Sequence, residues 1–332
     1  AMKLTLYLLL GSALILVGIL ALYFASGLRT FDWMILNSCN LDKTFQVVLF
    51  PLIFIGFGIF AGLWPFHTWS PDGHASAPSA VSMLHAGVLM KLGAFSIIRV
   101  ALPLLPYGAM VWGPFFACLA VVNIVYGALV AMAQKDLKYV VAYSSVSHMG
   151  IVMLGICSLN VIGLNGSVFQ MFSHGFMTGL FFALVGAIYG RTHTRILADM
   201  GGLAKLAPFL AVTFAIGGLA SLGLPGTSGF ISEFLVLLGA FKSYPLLSLV
   251  AATGVVITAI YVLRVLQKIF FGPLDEQYLS GKNMVTDATL FEKFPLSILI
   301  FFLILFGVWP SLFTDVVNSG ITLALAKIGG IL

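Results

Sequence analysis

Charge is what this chain has least of. Only 8% of its 332 residues are charged, while 61% are hydrophobic. A water-soluble domain carries about 25% charge, so water is excluded as the main solvent. Cysteine is nearly as scarce. Cys39, Cys118 and Cys157 stand apart in apolar stretches with no C-x-x-C spacing, which argues against a disulfide framework or a cysteine metal site. The sequence has no Walker loop, no G-x-G-x-x-G opening a βαβ unit and no Ser/His/Asp constellation, so neither hydrolysis nor redox chemistry is expected within it. The net charge of +5 is modest and collects on one side of the spans below. That pattern sets orientation rather than affinity for nucleic acid.

What is present is a succession of apolar runs. About 20 such residues cross a bilayer, and the chain divides into spans near 4–24, 44–64, 77–100, 110–132, 137–157, 162–189, 207–241, 245–270 and 294–313. A shorter amphipathic tail follows at 315–330. The fold class is therefore an all-α membrane protein, a single transmembrane domain over 1–332 with the lipid bilayer as its surroundings. The connection at 272–293 is polar, and the other connections are short. Lys3, Lys135, Lys138, Arg191, Arg195, Lys205, Arg264, Lys268, Lys282 and Lys293 fall on one face; Arg29, Lys43, Arg99 and Lys242 fall on the other. The positive-inside rule places the richer face in the cytoplasm or its equivalent.

Helix breakers interrupt two spans, at Gly62-Leu63-Trp64-Pro65 and at Leu224-Pro225-Gly226-Thr227-Ser228-Gly229. Backbone freed there has to be buried or to line a wet cavity. Paired interruptions at matching places point to structural repeats around an ion path. A five-helix repeat would run over 110–270, and its first copy would begin upstream of Ala1. An alanine ahead of Met2 carries the same expectation of a longer subunit, and with no small-residue cleavage site behind it the first apolar run does not read as a signal peptide.

Ionisable groups inside spans cost about 2.5–3.5 kcal/mol each on insertion scales, so each needs a reason. Lys91 lies deep in the third span, far from any acid in sequence; a desolvated lysine gives up its proton readily. His148 and His174 occupy the fifth and sixth spans beside Ser or Thr, and histidine passes protons through either ring nitrogen. Lys138 opens the fifth span as a relay residue or a topology charge. Glu233, following the second break, reads as the one glutamate within a span, suited to releasing protons or pairing with a lysine. His85 reads as a helix-packing residue. His67, Asp72 and His74, in WPFHTWSPDGHASAP, read as loop residues that cap helix ends.

Several stretches resemble the antiporter-like, proton-translocating membrane subunits of respiratory complex I, of the type called chain M in bacteria and subunit 4 in mitochondria. They are WPFHTWSPDGHASAPSAVSMLHAGVLMKLGAFSIIR, AQKDLKYVVAYSSVSHMG, FQMFSHGFMTGLFFALVGAIYGRTHTR, MGGLAKLAP and GLPGTSGFISEFLVLLGAF, in family order. The resemblance implies a fourteen-helix fold with inverted five-helix repeats, each containing a broken helix, of which this chain would supply helices six to fourteen and the tail. It implies that Lys91 is the central lysine, His148 and His174 the histidines of the hydrophilic axis, Lys138 the lysine opening the tenth helix and Glu233 the terminal acid. The lysine expected on the seventh helix is replaced by Phe60, and the fifth-helix glutamate is not in the chain. The implied function is proton movement, with no cofactor in this chain, coupled to NADH:quinone oxidoreduction elsewhere, beside other membrane-arm subunits in a bacterial plasma membrane or its equivalent. Subunits of a multisubunit Na+/H+ antiporter or a membrane-bound hydrogenase share these motifs. A non-pumping spacer of the membrane arm is the reading that Phe60 favours.

Overall fold

The computed structural model describes residues 2–274, 278 and 285–329. The part of the 272–293 connection at 275–277 and 279–284 lies outside the described residues, as does the tail beyond Gly329. In order, the helices are α1 (Met2–Ala25), α2 (Trp33–Ser38), α3 (Lys43–Ala61), α4 (Trp69–Ser76), α5 (Ser79–Leu84), α6 (Met90–Ser96), α7 (Leu102–Leu104), α8 (Pro106–Ala133), α9 (Leu137–Cys157), α10 (Val161–Thr192), α11 (Pro208–Ser221), α12 (Ser228–Ser243), α13 (Pro245–Phe270), α14 (Leu290–Val308) and α15 (Ser311–Gly329). Eight of these units are long and apolar enough to cross a membrane, and α11 is a shorter apolar helix followed, after an interruption, by α12. The protein is an integral, multi-pass membrane protein.

Local chemistry fixes where the helices start and stop. Asp42 caps α3 by accepting from the amides of Thr44 and Phe45. Proline occupies the first position of α8, α11 and α13, where its missing N–H is no loss. At the end of α3, Gly62 adopts φ 77° and Leu63 donates to the carbonyl of Gly58, a left-handed stop that favours glycine. The backbone freed by this break is satisfied from neighbouring helices. Asn123 of α8 accepts from the Trp64 amide at 2.9 Å and donates to the carbonyls of Gly62 and Val146. The Trp69 indole donates to the Ile59 carbonyl at 2.8 Å.

Beyond the break, WPFHTWSPDGHASAP is not a loop. It folds as a 3-10 turn over Phe66–Thr68 and then α4, with His67 and His74 buried. Asp72 lies in the first turn of α4 and pairs with Lys3 at 2.7 Å. The ninth span also shifts relative to the sequence boundaries. It starts at Leu290, because Thr289 and Glu292 form a reciprocal capping box of the kind that opens helices. Glu292 therefore enters its first turn, so Glu233 is not the only glutamate within a spanning helix. Glu292 is held at the surface by Arg191, 2.7 Å away.

The second break lies between Ser221 and Ser228, with Gly223 and Gly226 at φ 74° and 94°. A Cβ on Gly307 of α14 would come within 2.4 Å of the Gly226 carbonyl, so that helix packs directly on the broken segment. At the centre of the molecule stands α9, buried on nearly every side between α8, α10, α12 and α4. Close approach relies on small residues: a Cβ on Gly127 would lie 2.7 Å from the Ser147 amide, and one on Gly166 2.5 Å from the Val236 amide. These contacts lock α9 and α12 onto their neighbours and hold the polar side chains described next at fixed separations.

Candidate functional site: a buried chain of ionisable side chains

The helix that carries Lys91 is irregular. Turns of i→i+5 type at His85–Leu89 and Ile97–Ala101 flank it within the span Ser79–Leu104. Such turns widen a helix and recur at functional sites. Lys91 Nζ folds back to donate to the carbonyl of Ala86 and lies 2.5 Å from Nδ1 of His174 on α10. The His174 ring stands 5.2 Å, centroid to centroid, from His148 on α9. Nδ1 of His148 in turn lies 3.0 Å from Oε1 of Glu233 on α12. Lys91, His174, His148 and Glu233 are 9%, 1%, 2% and 5% exposed. Three helices and an irregular fourth thus bring together, in one buried row, groups that lie between positions 91 and 233 of the sequence.

Uncharged neighbours orient this row. Ser232 Oγ donates to Gln170 Oε1, so the amide nitrogen of Gln170 faces the row, 3.2 Å from His148 Nδ1 and 3.4 Å from Glu233 Oε1. Nε2 of His148 is 3.2 Å from Ser221 Oγ, at the last residue of α11 before the break. His148 Nδ1 therefore has an acceptor (Glu233) and a donor (Gln170) in reach. In one state it donates to the carboxylate; in the other it accepts from the amide. Beside Ser221 a cavity of about 20 Å³, lined also by Ser144 and Tyr261, is large enough for one water.

Lys138 is not in the row. It sits in the first turn of α9, where its Nζ donates to the carbonyl of Ala77, next to the Asp136–Arg195 pair at 3.1 Å. His85 is half-buried beside His74, 6.0 Å away by ring centroids, and His74 meets Ser70 at 3.1 Å. His67 lies between Tyr126 and Tyr143, at 5.1 and 6.5 Å. Phe60 is wedged between α1 and α6: a Cβ on Gly11 would lie 3.1 Å from its ring, and one on Gly93 2.9 Å from its Cβ.

A family profile described as NADH:quinone oxidoreductase/Mrp antiporter, TM, matches residues 1–258. The chain belongs to this family. Subunit M of the NADH-quinone oxidoreductase of Rhodobacter capsulatus is 41% identical over 332 residues, which cover 97% of this chain and 64% of that protein. Chain 4 of the NAD(P)H-quinone oxidoreductase of Gloeobacter violaceus is 41% identical over 95% of this chain and 61% of its own length. The chain thus spans less than two thirds of these relatives. Among solved structures, respiratory complex I from Thermus thermophilus with bound NADH contains a chain 34% identical, with a TM-score of 0.92, covering 98% of this chain and 68% of that one. The Mrp complex from Dietzia sp. shares the fold at 21% identity and a TM-score of 0.85, over 97% of this chain and 66% of its own. The antiporter-like fold expected from the motifs is the fold found, with both interrupted helices in place.

Sequence reasoning missed Gln170, Ser221 and Ser232 of the polar row, and Asn123 at the first break. Uncharged polar residues are frequent in membrane helices, and none of these carries a motif that would single it out. The one available signal was local: Ser221 and Ser232 flank the Leu224–Gly229 interruption.

Proposed function

We propose that this chain moves protons as a membrane-arm subunit of a complex I-type NADH:quinone oxidoreductase, in a bacterial plasma membrane or an equivalent energy-transducing membrane. Lys91, His174, His148 and Glu233 form the relay, and Lys138 supplies protons to it from the cation-rich face. The relatives of known name are quinone oxidoreductase subunits, and the observation that carries the reading is the buried row itself. Four ionisable groups in apolar surroundings would be costly as packing, but they suit transfer by short steps. The chain binds no cofactor in this reading; quinone reduction takes place in other subunits, and the relay responds through its neighbours in the membrane arm.

Within the row, His148 is the exchange point. A proton arriving from His174 makes its ring cationic, Nδ1 donates to Glu233, and transfer to the carboxylate leaves Nδ1 free to accept from Gln170. The two rings are near neighbours, with their centroids 5.2 Å apart.

The test is at Glu233. Gln at this position keeps the shape but cannot ionise, whereas Asp keeps the charge on a shorter arm. Assembled complexes carrying Glu233→Gln should pump far fewer protons per turnover in sealed vesicles, with Glu233→Asp retaining part of the activity. Equal pumping by the Gln variant and the parent would remove Glu233 from the relay. One observation favours a second reading, a non-pumping spacer: Phe60 puts an apolar ring where the family motif has a lysine. That reading predicts unchanged proton stoichiometry for every variant of the row.

A further inference from the structure

We propose that the groove along the span Ser79–Leu104 is a phospholipid site, with Arg99 holding the phosphate and one acyl chain lying over Lys91. Arg99 stacks on the ring of Trp33 at 4.1 Å and has no ion pair or hydrogen bond among the described residues. A guanidinium with its forked donors unused, braced on an indole, matches a phosphate better than any other anion at this depth. Tryptophan and arginine together mark the headgroup level of a span. By the distribution of cations, this is the outer, cation-poor face.

Apolar space continues inward from that point. A cavity of about 350 Å³ surrounds Arg99 and Trp33, and a second of about 580 Å³ is lined by Lys91, Leu92, Phe172 and Phe176. Phe95 and Val168 line both, so the two form one groove. Leu84, Val88, Leu92 and Phe95 recur along it at helical spacing and are 65%, 54%, 53% and 53% exposed. Lys91 is the only ionisable residue lining the larger cavity, which offers a chain of methylenes everything and a free anion almost nothing.

Length fits as well. Eight residues separate Arg99 from Lys91, an axial rise of about 12 Å, within the roughly 15 Å of hydrocarbon in one leaflet. An acyl chain whose phosphate rests on Arg99 therefore ends beside Lys91. Seated there, it closes the lysine to water from the lipid side, so that protons reach Lys91 only through the interior row.

The assembled, delipidated complex tests this with phosphatidylglycerol carrying a diazirine near the end of one acyl chain. The parent should be labelled on peptides containing Val88–Leu92 and Phe172–Phe176, and excess inorganic phosphate should not compete. Arg99→Gln, which removes the charge, and Val168→Phe, which keeps Arg99 but narrows the junction of the two cavities, should each weaken half-maximal labelling by about tenfold. Labelling unchanged in Arg99→Gln overturns the proposal whatever the Val168 variant does. Displacement by inorganic phosphate overturns it too, because the groove would then contribute nothing.

Discussion

One ring nitrogen of His148 has two suitors. Glu233 Oε1 at 3.0 Å and Gln170 Nε2 at 3.2 Å compete for its Nδ1, and which of them is engaged depends on where the proton is. Ser232 prevents the Gln170 amide from turning over, because its hydroxyl holds Oε1. At the other end, Lys91 has a carbonyl and a histidine nitrogen as partners and no carboxylate. Its charge is therefore stabilised by dipoles alone, which suits the proton release that the proposed relay asks of it. Lys91→Met keeps an unbranched side chain one atom shorter and removes a charge whose insertion costs about 2.5–3.5 kcal/mol. Assembly should be normal or better, while proton flux through this subunit should nearly vanish. Vesicle pumping at matched turnover, set against the amount of assembled complex, checks both halves. Normal pumping would make Lys91 a structural lysine. Lys91, His148, His174 and Glu233 were legible in the sequence because a charge or an imidazole within an apolar run stands out against its surroundings. The partnership of Lys91 with His174 was not, since it joins residues 83 positions apart through packing.

The two interrupted helices show how an element can be broken without being weakened. Asn123 ties the first break to α9, through Trp64, Gly62 and Val146, and it stands fully buried on α8. Asn123→Leu would leave the Trp64 amide and the Gly62 carbonyl buried and unpaired, at roughly 1–3 kcal/mol for each unsatisfied group. The amount of assembled complex should fall and its thermal inactivation come several degrees earlier, whereas proton transfer per surviving complex should change little, since Asn123 touches no member of the polar row. Loss of pumping in full proportion to Lys91→Met would contradict that separation. Both interruptions were legible from Gly and Pro. The short helix after the first was not: Pro71, Gly73 and Ser76 read as loop residues, yet burial of Trp69, His67 and His74 against the bundle outweighs weak local propensity. Likewise α14 begins earlier than its apolar run suggests, because the Thr289 and Glu292 cap decides the start and hydrophobicity does not.

Across the whole molecule, ionisable groups are distributed unevenly. Lys91, His174, His148 and Glu233 draw together the span Ser79–Leu104, α9, α10 and α12, while the α1–α3 face around Phe60 is packed with glycine and aliphatic residues. Among the described residues, the carboxylates other than Glu233 belong to helix ends and connections (Asp32, Asp42, Asp72, Asp136, Asp199, Asp287, Glu292 and Asp315). A cation placed at Phe60 would therefore meet no counter-charge among the described residues. Phe60→Lys tests whether the aromatic is what closes this half of the subunit. The ring now fills the space left by Gly11 and Gly93. A lysine would leave part of that space empty and bury an ammonium without a partner, which costs several kcal/mol in a protein interior. The expected outcome is a marked loss of assembled complex, with no increase in protons pumped per turnover by what remains. Membrane fractions quantified for assembled complex, followed by pumping in sealed vesicles at matched electron flux, separate the two effects. Full assembly with higher stoichiometry would mean that a carboxylate from outside the described residues reaches the α1–α3 face. The subunit would then hold two relays, of which Phe60 keeps one closed.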